Sequence, residues 1–146
     1  MSVPKPLRSE SQLEVFNKTM EMCKYTIHIC CNENIFLPIY RNALTEDIIK
    51  TAKDIHIKAW MANNIRVSDK KNAHERFKKE DAHERLKLEK ESIMLCEKLL
   101  SLINLAKPLF HLSSKRIGYW GNLILETKGF LKKWRDSDVK RYGESL

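Results

Sequence analysis

The residues of this chain best able to do chemistry are five histidines and four cysteines, and their spacing keeps them apart. His28, His56, His74, His83 and His111 are scattered. None stands at a recurring metal-ligand interval from a Cys, a second His or a carboxylate, and no His-Glu-x-x-His pattern occurs. His28, beside the apolar face of its segment, reads better as a half-buried packing residue than as a general base. Cys23, Cys30, Cys31 and Cys96 form no Cys-x-x-Cys. They sit inside apolar periodic segments, where a free cysteine behaves as a small hydrophobe. The four glycines, at 118, 121, 129 and 143, make no phosphate-cradling loop. The expectation is a protein that is not an enzyme, with no catalytic residue, no metal and no cofactor.

One internal repeat stands out. Asn72-Ala-His-Glu-Arg-Phe-Lys-Lys-Glu80 is followed directly by Asp81-Ala-His-Glu-Arg-Leu-Lys-Leu-Glu89. At ~100° per residue, nine residues turn a helix by ~180°, so His74 and His83 face opposite sides ~13.5 Å apart and cannot share a metal ion. The charge pairs four apart, such as Glu75 with Lys79 and Asp81 with Arg85, add only a few tenths of a kcal/mol each. Two readings remain open: a solvated helical extension beyond a bundle, or an arm that grips a partner.

The elements that must position these residues are helices. Only 4 Gly and 4 Pro occur in 146 residues, and no Val/Thr-rich alternation is sustained. Ser9 or Ser11 can cap a first helix reaching about Cys31, ended by the run into Pro38. Asn42 or Thr45 caps a second, to about Ile65. A third runs from Ser68 or Asp69 to about Ala106, where Lys107-Pro108 stops it, and Ser113 or Ser114 caps a fourth, to about Asp136. Apolar residues recur at spacings of three and four: Leu13, Phe16, Met20, Cys23, Ile27 and Cys30 in the first; Leu44, Ile48, Ala52, Ile55, Ala59 and Ala62 in the second; Ala82, Leu86, Ile93, Cys96, Leu100 and Ile103 in the third; Ile117, Trp120, Ile124, Leu131 and Trp134 in the fourth. The fold class is all-α, an antiparallel up-down four-helix bundle with a long third helix. It occupies 10–138, between a flexible N-terminus over 1–9 and a flexible C-terminal tail over 139–146.

Charge and spare apolar surface point to macromolecular partners. Lys and Arg number 27 against 19 Asp and Glu, for a net charge of +8, which favours anionic partners. In the fourth helix Lys128, Lys132 and Arg135 form a basic stripe at spacings of four and three; Lys133 points elsewhere and Arg116 opens the helix, and all five are assigned to nucleic-acid binding. Such a set suits sequence-independent phosphate contacts. A second apolar line in the first helix, Val15, Met22 and Ile29, is rotated away from the main stripe, as are Ile49 and Trp60 in the second. One bundle face cannot bury both lines, so these five residues are assigned to an oligomer or partner interface. Met1-Ser-Val-Pro-Lys-Pro-Leu-Arg8 lacks the apolar run of a secretory signal, and no stretch approaches ~18 consecutive apolar residues. A cytoplasmic protein without a membrane partner is expected.

The order helix, Phe36-Leu37-Pro38 connection, helix, long helix and a last helix ending Glu126-Thr-Lys-Gly-Phe-Leu-Lys-Lys-Trp134 resembles a family of small four-helix proteins. It includes the rRNA intervening-sequence proteins and the accessory variability determinants (Avd) of diversity-generating retroelements. Lys115-Arg-Ile-Gly-Tyr-Trp120 is similar to the version in short proteins encoded beside bacterial and phage reverse transcriptases. The resemblance spans roughly residues 10 to 138. It implies a non-catalytic accessory protein that forms a homo-oligomer, a pentamer in that family, binds a reverse transcriptase and structured RNA or an RNA–DNA hybrid, and supports cDNA synthesis. The alternative is a protein-interaction adaptor or phage regulatory protein without direct nucleic-acid binding.

Overall fold

Buried positions recur along the chain at alternating intervals of three and four, which keeps one stripe of an α-helix facing inwards. The computed structural model describes residues 5–67 and 75–143, with side-chain surroundings over 14–67 and 78–143. Helix α1 spans Lys5–Cys30, α2 Glu46–Asn64, α3 Glu75–Leu109 and α4 Ser114–Tyr142. Helices α1 and α3 each pack against both α2 and α4. Contacts between neighbours run in opposite directions: Phe16 meets Trp60 while Thr19 meets His56, and Arg85 reaches Ile65 while Ser92 reaches Ile55. The result is the antiparallel all-α bundle expected from the sequence, with α3 the longest helix.

Local chemistry sets the helix ends, not always where the sequence suggested. The Ser113 hydroxyl accepts the Arg116 N–H at 3.1 Å and caps α4. Thr45 stands before α2 but makes no cap; a π-type turn over Arg41–Thr45 feeds the chain in, and Glu46 and Asp47 in the first turn complement the helix dipole. Helix α3 passes through Pro108 to Leu109 rather than stopping at Ala106. It ends where His111 adopts φ 53° and the Leu112 N–H bonds the Lys107 carbonyl at 3.0 Å. That is a left-handed helix cap, a conformation His adopts more readily than bulky apolar residues. Helix α4 runs on to Tyr142 because Asp138 and Tyr142, one turn apart, are both buried. Residues 139–142 of the expected flexible tail are therefore helical, as are residues 5–9 of the expected flexible N-terminus. Residues 1–4 and 144–146, the Ser68 or Asp69 helix start and His74 lie outside the described residues, as does the Leu13 side chain.

The core corrects one assignment outright. In α1 the buried stripe is Val15, Thr19, Met22, Thr26 and Ile29, joined by Cys30 of the expected stripe, while Phe16 and Cys23 are half-buried against it and Met20 is 43% exposed. Val15, Met22 and Ile29 thus belong to this chain's own core rather than to an exposed oligomer or partner interface. Two threonines complete their stripe. Thr19 Oγ1 donates to the Phe16 carbonyl and hydrogen-bonds His56 Nδ1 at 2.8 Å, while Thr26 Oγ1 accepts the Trp120 indole N–H at 2.9 Å. Buried hydroxyls satisfied in this way are no obstacle to packing. The α2 stripe from Leu44 to Ala62 is buried as expected, as are Trp120, Ile124, Leu131 and Trp134 of α4, with Ile117 half-buried against them.

Candidate nucleic-acid and partner surfaces

The second copy of the repeat does not project into solvent. Ala82, Arg85, Leu86, Leu88 and Glu89 are all buried, so residues 81–89 are neither a solvated extension nor a free arm. Arg85 Nε donates to Asp138 Oδ2 at 2.7 Å and lies 3.4 Å from Glu89 Oε2; Nη1 donates to the Ile65 carbonyl at 3.0 Å. Its guanidinium stands over the rings of Trp134 and Tyr142 at 5.4 and 5.9 Å. One arginine therefore joins α3, the end of α2 and the end of α4. Glu89 is fully buried, and burial, then the neighbouring Asp138 carboxyl, push its pKa up to about 9 against the opposing pull of Arg85 and Arg135. At neutral pH Glu89 is protonated, and the cluster reduces to one cation and one carboxylate, Arg85 and Asp138. Sequence reasoning missed it. The available signal was Arg85 and Glu89 in line with Ala82 and Cys96, at intervals that place charges on the buried stripe.

The structure separates the five basic residues assigned to phosphate. Lys128 is ion-paired with Glu97 across α3 and α4. Arg135 is half-buried, its Nε donating to the Leu86 carbonyl at 3.4 Å. Lys132 and Lys133 are exposed, and among the described residues neither has an ion-pair partner. Lys132 and Arg135 share an α3–α4 groove of about 420 Å³ with Lys90, Ile93, Met94 and Asp136. Lys90, unforeseen from the sequence because it lies on another helix, makes this a three-cation site with one carboxylate. Arg116 is elsewhere. Sixteen residues before Lys132, it lies ~24 Å away along the helix, lining a second cavity of about 200 Å³ with Tyr25, His28, Ile29, Asn32 and Ile35.

A separate apolar patch lies where α1 meets α2. Trp60 is 54% exposed, its ring 6.0 Å from that of Phe16, and Ile57 and Met61 beside it on α2 are exposed, as is Met20 one turn from Phe16 on α1. Ile49, assigned with Trp60 to an interface, is half-buried against the core. Of the two, Trp60 alone offers substantial surface.

The reactive residue types stay dispersed. Among the described residues no group of three or more His, Cys, Asp or Glu is placed to hold a metal ion. The Cys30 and Cys96 thiols are buried and pushed up to about 12, chiefly by that burial, so they remain protonated and poorly nucleophilic. Among the described residues no helix is long and apolar enough to cross a membrane. No family model, curated protein or solved structure matches the chain.

Proposed function

We propose that the protein is a non-catalytic accessory protein that holds structured RNA or an RNA–DNA hybrid through the α3–α4 groove and docks a reverse transcriptase through the Trp60 patch, supporting cDNA synthesis. The resemblance to retroelement accessory proteins supplies the class of partner. The observation that carries the binding role is the groove itself: among the described residues Lys90 and Lys132 have no ion-pair partner, and Arg135 stands beside them. Unpaired cations along a groove are the arrangement that exchanges counterions for phosphates. Filter binding of a structured RNA at low and high salt tests the reading. Affinity should fall steeply with salt, and Lys132→Glu with Lys133→Glu should weaken it at every salt concentration; salt-insensitive or absent binding overturns it.

A second reading, a protein-interaction adaptor or phage regulatory protein, draws support from the apolar patch around Trp60. The same patch is the candidate for self-association, and a mass measurement in solution on the native chain and on Trp60→Ala tests that role. Under the adaptor reading, Trp60→Ala abolishes partner capture while RNA binding is absent throughout.

A further inference from the structure

The Arg116 cavity differs from the groove in chemistry as well as position. Its lining residues are two cationic or titratable side chains, Arg116 and His28, one phenol, one amide and two isoleucines, with no carboxylate. Arg116 is half-buried, and among the described residues its guanidinium has no ion-pair or hydrogen-bond partner. Among the described residues the other buried or half-buried arginines are engaged, Arg41 by Glu33, Arg85 by Asp138 and Arg135 by Leu86. Arg116 also sits in the first turn of α4, which contains no acidic residue to offset the positive end of the helix dipole.

Aromatic rings flank this cation. Tyr25 lines the cavity, and Tyr119 packs on it with ring centroids 5.0 Å apart while remaining 57% exposed. Tyr25 is held in turn by the edge of Trp120, 6.1 Å away, and that indole is fixed by Thr26. The aromatic platform is thus anchored to the core, with its outer ring open to solvent. Across the cavity, Asn32 Oδ1 accepts the Asn34 N–H at 3.0 Å, which orients the amide and leaves its NH₂ group as a donor.

An unengaged guanidinium beside an exposed, anchored ring suits a ligand with one anionic group and one planar group. Volume narrows the choice. About 200 Å³ falls below the ~300–1,000 Å³ of cavities that enclose whole drug-sized ligands, so the cavity takes one phosphate or one base, with the rest of a nucleotide lying outside it against the exposed Tyr119.

We propose that this cavity holds one unpaired nucleotide, its phosphate on Arg116 and its base against Tyr119 beside Tyr25. Stacking on aromatic rings combined with a cation on the backbone is how proteins hold single strands, because every base has a π-face. The nucleotide is either free or one unit of an RNA strand. In the second case the inference rests on the nucleic-acid reading above and adds to it: the groove takes the structured part of an RNA, and this cavity takes an unpaired residue ~24 Å away along α4.

The protein is titrated with AMP, with inorganic phosphate, with a labelled single-stranded oligoribonucleotide and with a blunt-ended RNA duplex that has no unpaired residue. Binding is read by fluorescence anisotropy and by backbone amide shifts at residues 115–120. The variants are Arg116→Gln and Tyr119→Ala, both at accessible positions, with Lys132→Glu plus Lys133→Glu as the contrasting pair. Circular dichroism melts confirm that each remains folded. Each cavity variant should lower single-strand affinity by about tenfold, within the range for losing one stacked base or one charge-assisted contact, and leave duplex affinity unchanged. AMP should shift the 115–120 amides more than phosphate does. If the cavity variants bind single strands as the native chain does while the lysine pair loses affinity, the cavity proposal fails and the groove reading stands. If AMP binds at Arg116 but no RNA binds anywhere, the nucleotide site stands as a site for free nucleotide and the groove reading fails. Equal shifts from phosphate and AMP, with Tyr119→Ala silent, overturn the stacking role.

Discussion

Two arginines mark opposite ends of the bundle and opposite uses of the same side chain. Arg85 is buried, donates to Asp138 and Ile65, and is sandwiched near Trp134 and Tyr142. Arg116 is half-buried beside Tyr25 and has no such partner among the described residues. A guanidinium removed from water demands compensation from the protein, and at the Arg85 end the protein supplies it. At the Arg116 end nothing does, and the cation remains available to a ligand. Burial alone therefore does not separate a structural charge from a binding one; the partner list does.

The largest test of this contrast is to remove each arginine. Arg85→Ala should cost about 3–5 kcal/mol in urea unfolding, because Asp138 is left buried without its cation. Arg116→Ala should fall within about 0.5 kcal/mol of the native chain. Similar losses at both ends would break the comparison. The aromatic supports come next. Trp120→Ala beneath the Arg116 cavity and Trp134→Ala beneath Arg85 should each cost about 3–5 kcal/mol, since both rings are buried; calorimetric melting would check this.

A pH titration sharpens the Arg85 end. Folding raises the Glu89 pKa from 4.5 to about 9, so between those values the native state holds a proton that the unfolded chain has released. Stability is then greatest below about pH 4.5 as far as this group is concerned, and is lost as pH rises towards 9. Glu89→Gln, which mimics the protonated form, should flatten the slope of the urea midpoint between pH 5 and 9 while changing stability little near pH 5. A native midpoint that rises over that interval would contradict a protonated Glu89.

The smallest effects on folding belong to the exposed residues. Replacing Lys132 or Lys133 should leave unfolding unchanged and reduce the salt slope of RNA binding by about one each. Trp60→Ala should alter stability by less than about 1 kcal/mol, since more than half of the residue is exposed, while shifting the mass of any assembly measured in solution.

Much of the fold was legible because helix periodicity is local. Few breakers and apolar residues three and four apart specify four amphipathic helices, and short connections make neighbours antiparallel. The α2 stripe and the two buried tryptophans of α4 follow directly from it. The α1 stripe was misread because Thr19 and Thr26 count as polar in a hydropathy pattern, although here they are paired with His56 and Trp120 on other helices. The candidate site was less legible. The basic residues were visible, but Lys128 proves to be engaged by Glu97 and Lys90 joins the groove from a different helix.

The amino-acid order by itself determined which residues form helices, roughly where those helices break, and that the chain carries excess positive charge, because each depends on neighbours within a turn or two. Only the tertiary structure decided which of two apolar lines on α1 is core, which cations are neutralised, and that Arg85 is structural while Arg116 is unengaged. Those outcomes depend on groups 20 or more residues away in sequence, and helix packing alone brings such groups within hydrogen-bonding distance.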